Sequence, residues 1–174
     1  GLIERELSER AWLDSAYSAA TAAENAGDLV GARAAFSAIQ DYRDATERAD
    51  RLSVLLAPQE ENYAAGRAAM QAGDYAAAVS LLEPVAGAVP TLGDVTIELD
   101  DARRLLGLDL RRDVDAALSV RDWTTAEQRL RSLATLDPTN QDARAELAAL
   151  QRENGPLLVG HNRELWLMSP EGSM

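Results

Sequence analysis

The sequence holds one histidine, His161, near its C-terminus. An imidazole is the side chain whose unperturbed charge changes near neutral pH. In a Ser-His-Asp arrangement His161 would be the general base, but no serine lies in the sharp glycine-flanked turn that exposes a nucleophile. One histidine without any cysteine cannot build a typical zinc site. All 17 basic residues are arginines, so neither a Schiff-base lysine nor a phosphate-loop lysine is present. The acidic pairs Glu60-Glu61 and Asp100-Asp101 are adjacent in sequence. On a helix such neighbours point apart, so they read as caps and solvated faces rather than as an acid/base pair. No glycine-rich phosphate loop and no Asn-x-Ser/Thr sequon occurs. These residues predict no enzyme: no catalytic residues, no cofactor and no metal.

Charge narrows the partner. The 29 acidic residues set the net charge at −12, and a chain this acidic repels phosphate backbones. Nucleic acid is therefore not expected as a partner. No apolar run reaches the roughly 18 residues that span a membrane, so no membrane insertion is expected either. Leu2-Ile3 is followed at once by Glu4 and Arg5, which is not the start of a signal peptide. The opening reads as the edge of a fragment from a larger multidomain protein. The expected partner is another protein or a peptide.

The elements follow from self-similarity. Ala26-Gly27-Asp28-Leu29, Ala72-Gly73-Asp74-Tyr75 and Val120-Arg121-Asp122-Trp123 align without gaps, with Gly27, Gly73 and Arg121 spaced 46 and 48 residues apart. Five residues on from these anchors stand Ala32, Ala78 and Ala126. Nine on stand Phe36, Leu82 and Leu130; twelve on stand Ile39, Val85 and Leu133. Together with Leu29, Tyr75 and Trp123 at offset two, these positions share one face of an α-helix. Gly27 and Gly73 suit the left-handed end of a helix, and Asp28, Asp74 and Asp122 suit the cap of the next. Arg121 breaks the pattern, so the third turn is expected to be strained by about 1 kcal/mol or built differently.

A further helix type repeats downstream. Asp41, Thr91 and Thr139 are each followed three residues later by Asp44, Asp94 and Asp142, the pattern of an N-cap with an acidic partner. Apolar residues then recur at Ala45, Val95 and Ala143, at Ala49, Leu99 and Leu147, and at Leu52, Ala102 and Leu150. The expected map is Ile3–Ala26, Asp28–Gln40, Asp41–Ala57, Pro58–Ala72, Asp74–Ala86, Thr91–Leu106, Leu108–Val120, Asp122–Leu136 and Thr139–Glu153. Pro58 can open a helix or kink a longer one, and Gly107 is a weak break, which leaves Thr91–Val120 as one helix or two. Pro84 is expected to end or kink its helix early.

These residues resemble tetratricopeptide repeats. The resemblance rests on Gly73-Asp74-Tyr75 with Ala78, Leu82 and Pro90, on Gly66 at a helix crossing, and on Asp122-Trp123, Ala126, Leu130 and Leu136-Asp137-Pro138. It covers roughly Ala11 to Leu150 and departs from the family's period of about 34 residues. It implies an all-α, right-handed helical-repeat solenoid of extended period over residues 1–153, whose concave groove binds a peptide or partner protein. The groove positions carried over are Tyr17, Thr21 and Glu24, then Tyr63, Arg67 and Met70, then Arg111, Asp115 and Leu118. Tyr and Arg are frequent binding anchors; equally, Tyr17 and Tyr63 can pack on the neighbouring third-type helix. The stripe does not carry the residues of a terminal-carboxylate clamp. A structural spacer or oligomerisation module with an unused groove is the alternative function.

Residues 154–174 differ. Asn154-Gly155-Pro156 stops the helical pattern, and two apolar runs, Leu157-Leu158-Val159 and Leu165-Trp166-Leu167-Met168, read as short strands. The stretch resembles part of a propeller blade. An isolated hairpin is marginal in water, so this tail is expected to pack, through Trp166, on its own chain or on a neighbouring copy as a homo-oligomer.

Overall fold

The computed structural model describes residues 2–152. Among them the chain is all-helical, without a strand. The helices are α1 (Leu2–Asn25), α2 (Leu29–Ser37), α3 (Ala45–Ala72), α4 (Tyr75–Ala88), α5 (Val95–Ser119) and α6 (Trp123–Leu136), followed by α7 over 141–152. Two compact units, Gly1–Arg103 and Arg104–Met174, divide within α5. The tail, with His161, Trp166, the expected strands and the propeller-like stretch, lies outside the described residues.

Three helix ends are built alike. Gly27, Gly73 and Arg121 all have positive φ, at 83°, 77° and 59°. Asp28 N–H donates to the Ala23 carbonyl, Asp74 N–H to Ala69 and Asp122 N–H to Ala117, at 2.9–3.0 Å. Each is the six-to-one bond of a left-handed helix end. The same aspartates then cap the next helix, accepting from Gly31, Ala77 and Thr125 N–H. Arg121 therefore takes the glycine conformation with a side chain attached. Arg121→Gly is expected to raise stability by about 0.5–1 kcal/mol, the relief of left-handed strain less the added freedom of the unfolded chain. A urea titration showing a loss would place the strain elsewhere.

Three buried clusters hold the fold. In the first unit, Ala20 of α1 meets Ala32 and Phe36 of α2 and Ala49 and Leu52 of α3. Ala78, Leu82 and Val85 of α4 meet Leu56 of α3 and Val95, Leu99 and Ala102 of α5. In the second unit, Val114 of α5 meets Ala126 and Leu130 of α6 and Ala143 and Leu150 of α7. α2 thus lies against the back half of α1 and the front half of α3, α4 against the back half of α3 and the front half of α5, and α6 between the back half of α5 and α7. The offset-two residues contribute less: Trp123, at the edge of its helix, remains 42% exposed.

At Pro58 and at Gly107 the longer of the two readings left open by the sequence is the one that forms. The expected helices on either side of Pro58 form one helix, α3, and those on either side of Gly107 form α5. The period of 46 and 48 residues comes from one long and one short helix, not from three. Pro58 removes a single ladder bond, that to the Val54 carbonyl, and Val54 is highly exposed, so water can take the donor's place. The apolar stripes on both sides of Pro58 supply the packing that keeps the helix going. Pro84 likewise does not end α4, which runs to Ala88. The carbonyl it leaves free belongs to Ser80, also exposed.

The cap positions shift as well. Asp44, not Asp41, occupies the N-cap of α3, and its carboxylate makes no cap bond because it accepts from Tyr17 instead. Thr91 stands four residues before α5 and Thr139 two before α7, so neither sits at an N-cap; their hydroxyls donate to Asp28 and Asp137. Asn140 caps α7 through Ala143 N–H at 3.0 Å.

Candidate partner-binding surface

The expected groove residues form helical stripes, and each stripe faces a neighbouring helix. On α1, Arg48 of α3 reaches across all three positions. Its Nη1 donates to Tyr17 Oη and Thr21 Oγ1, both at 3.0 Å, and its Nη2 donates to Glu24 at 2.5 Å. The guanidinium lies 4.6 Å from the centre of the Phe36 ring, a cation–π distance. Burial alone would lower the Arg48 pKa; the bonds to Tyr17 and Glu24 outweigh it and hold the group above its ordinary value. Tyr17 in turn donates to Asp44. Next to this clamp, Asp14 accepts from Tyr42 and Arg43.

On the back half of α3 the contacts are of other kinds. Tyr63 Oη accepts from Asp94 N–H at 3.2 Å. Gly93, with φ 55°, lies so near that a Cβ there would stand 2.7 Å from Tyr63 Oη. Arg67 Nε pairs with Glu98 of α5 at 3.1 Å. Met70 is partly buried against the cluster beneath α4. In the second unit, Arg111 Nη1 donates to both carboxylate oxygens of Glu146 on α7, at 2.9 and 2.7 Å, and its Nε pairs with Asp115 at 3.3 Å. The bonds to Glu146 raise the Arg111 pKa against the opposing effect of burial. Leu118 packs on the cluster beneath α6.

All nine expected residues therefore take part in contacts within the fold. Arg67 still shows 55% of its side chain to solvent, and Tyr63 is half-buried. The residues that the sequence did not disclose are Arg48, Glu98 and Glu146. Each stands four positions after Asp44, Asp94 and Asp142, and that common spacing was the available signal. Elsewhere every residue from Ile3 to Trp12 of α1 is exposed, including Ile3, Leu7 and Trp12. Among the described residues no group of three His, Asp or Glu could hold a metal, and no helix is long and apolar enough to cross a membrane.

The Tyr17 hydroxyl, donating to Asp44, holds that carboxyl below the usual carboxylate range, against the opposing effect of burial. Bonds from Thr125 and Thr139 act likewise on Asp122 and Asp137. A carboxylate with a depressed folded pKa stabilises fully above its unfolded value near 4, and that contribution is lost as pH falls through the folded value. Stability is therefore expected to fall with acid between about pH 5 and pH 2. Asp44→Asn is expected to flatten that fall. Urea midpoints across this range check it; an unchanged slope would remove Asp44 from the account.

No family model, no curated protein and no solved structure matches this chain.

Proposed function

We propose that the chain is a tetratricopeptide-like helical repeat of extended period that serves as a structural spacer. One observation carries this role. Arg48 bridges Tyr17, Thr21 and Glu24, so the side chains that would grip a peptide lock α1 to α3 instead. Arg67 with Glu98 and Arg111 with Glu146 make the corresponding locks further along the chain. A spacer needs such helix-to-helix locks, because each repeat contacts only its neighbours.

A protein-binding scaffold is the second role, favoured by the exposed Ile3, Leu7 and Trp12 on α1 and by the outward side of Arg67. The two roles separate in a pull-down from native lysate with wild type, Arg67→Gln and Trp12→Ser. For a spacer, neither substitution changes what is retained. Loss with Arg67→Gln would restore the stripe as a binding site. Loss with Trp12→Ser would move the site to the start of α1.

A further inference from the structure

The helix ends built on Gly27, Gly73 and Arg121 share a backbone and differ in the side chains that flank it. Ala26 and Ala72 correspond to Val120, and Leu29 and Tyr75 correspond to Trp123. The third end thus carries the larger apolar groups. It is also the least covered. At the start of α2, Leu29 and Val30 pack on the cluster built by α3, α4 and α5, and Thr91 Oγ1 reaches Asp28 at 3.2 Å. Tyr75, at the start of α4, is half-buried. At the start of α6 every residue from Val120 to Thr124 is exposed, Val120 at 74%.

α7 leads the chain to this end. Leu150 is buried in one cluster with Ala126, and Gln151 Nε2 donates to Glu127 Oε1 at 2.9 Å. Glu127 stands one turn after Trp123 on the same face of α6. The chain therefore leaves α7 beside Trp123. Leu157 follows Arg152 by five residues, a reach of up to about 17 Å. We propose that Leu157-Leu158-Val159 docks on Val120 and Trp123 and closes the exposed end of α6. Two facts favour this occupant over a second copy of the chain. The short tether holds the segment at an effective concentration of about a millimolar. Residues 154–160 carry no charge, whereas a second copy brings its own net charge of −12, and such self-repulsion opposes association.

The experiment uses the full chain with Trp12→Phe and Trp166→Phe, which leave Trp123 as the single tryptophan. Trp123 is expected to emit towards the blue and to resist quenching by acrylamide. Leu157→Ser with Leu158→Ser should shift the emission to the red and raise the quenching constant, with the far-UV spectrum unchanged. In the otherwise wild-type chain, Trp123→Ser should speed tryptic cleavage after Arg163; this readout decides if the leucine variant does not fold. Unchanged quenching in a folded leucine variant overturns the proposal, and so does unchanged cleavage in Trp123→Ser. Shielding of Trp123 that disappears on dilution, with a fall in mass, assigns the end to a second copy and overturns it as well.

Discussion

Phe36→Ala is expected to lower the stability of the first unit by about 3–5 kcal/mol, the range for deleting a fully buried aromatic ring. Phe36 has no exposed surface. Its ring meets Tyr17 edge-on, with centroids 5.6 Å apart and planes at 68°, an arrangement that contributes beyond area burial. It is also the platform beneath the Arg48 guanidinium. The substitution thus opens a cavity and loosens the clamp that joins α1 to α3. Urea denaturation followed by far-UV circular dichroism measures the loss. A cost near 1 kcal/mol, the centre of the range for point substitutions, would mean that α1 and α2 collapse readily into the space.

The second large effect comes from the opposite change. Ala78→Leu is expected to destabilise by about 1–3 kcal/mol through overpacking. Ala78 is fully buried where α4 crosses α3, and the crossing is close. A Cβ placed on Gly66 of α3 would stand 2.6 Å from Leu82 Cδ2 and 2.7 Å from Leu82 Cγ. Leu82 is itself fully buried, so it has little room to yield. Ala32 and Ala126 occupy the same place in the other two short helices, also without exposure. A thermal melt of Ala78→Leu matching wild type would show that α4 can shift away from α3 at little cost.

Much of this was legible because it is local. A left-handed residue followed by Asp ends one helix and caps the next within a few residues, so Gly27, Gly73 and even Arg121 disclosed their turns. The apolar offsets after each anchor follow the helical period, and Ala32, Ala78 and Ala126 are buried as that period demands. Pro58 left a new helix and a longer one both open; the longer one forms because the local cost, one ladder bond at an exposed carbonyl, is outweighed by packing on both sides. The aspartates at 41 and 44 look alike as caps; only Tyr17, 27 residues away from Asp44, decides what Asp44 bonds to. The stripes themselves were found, but not what faces them. Periodicity identifies a face of a helix and carries no information on which distant side chain meets it. Arg48 lies 24 to 31 residues from its three partners.

Pro58 has a consequence for motion. Its missing N–H leaves α3 a single helix with a broken ladder between the part that covers α2 and the part that lies against α4. Unwinding that starts at Ala45 therefore reaches a point where the next bond is already absent, and the cooperative advance of melting weakens there. The back half, anchored by Gly66 under Leu82 and by Tyr63 at the start of α5, can remain wound while the front half opens. One helix can thus serve two neighbours and still release them separately, in sub-global steps rather than all at once.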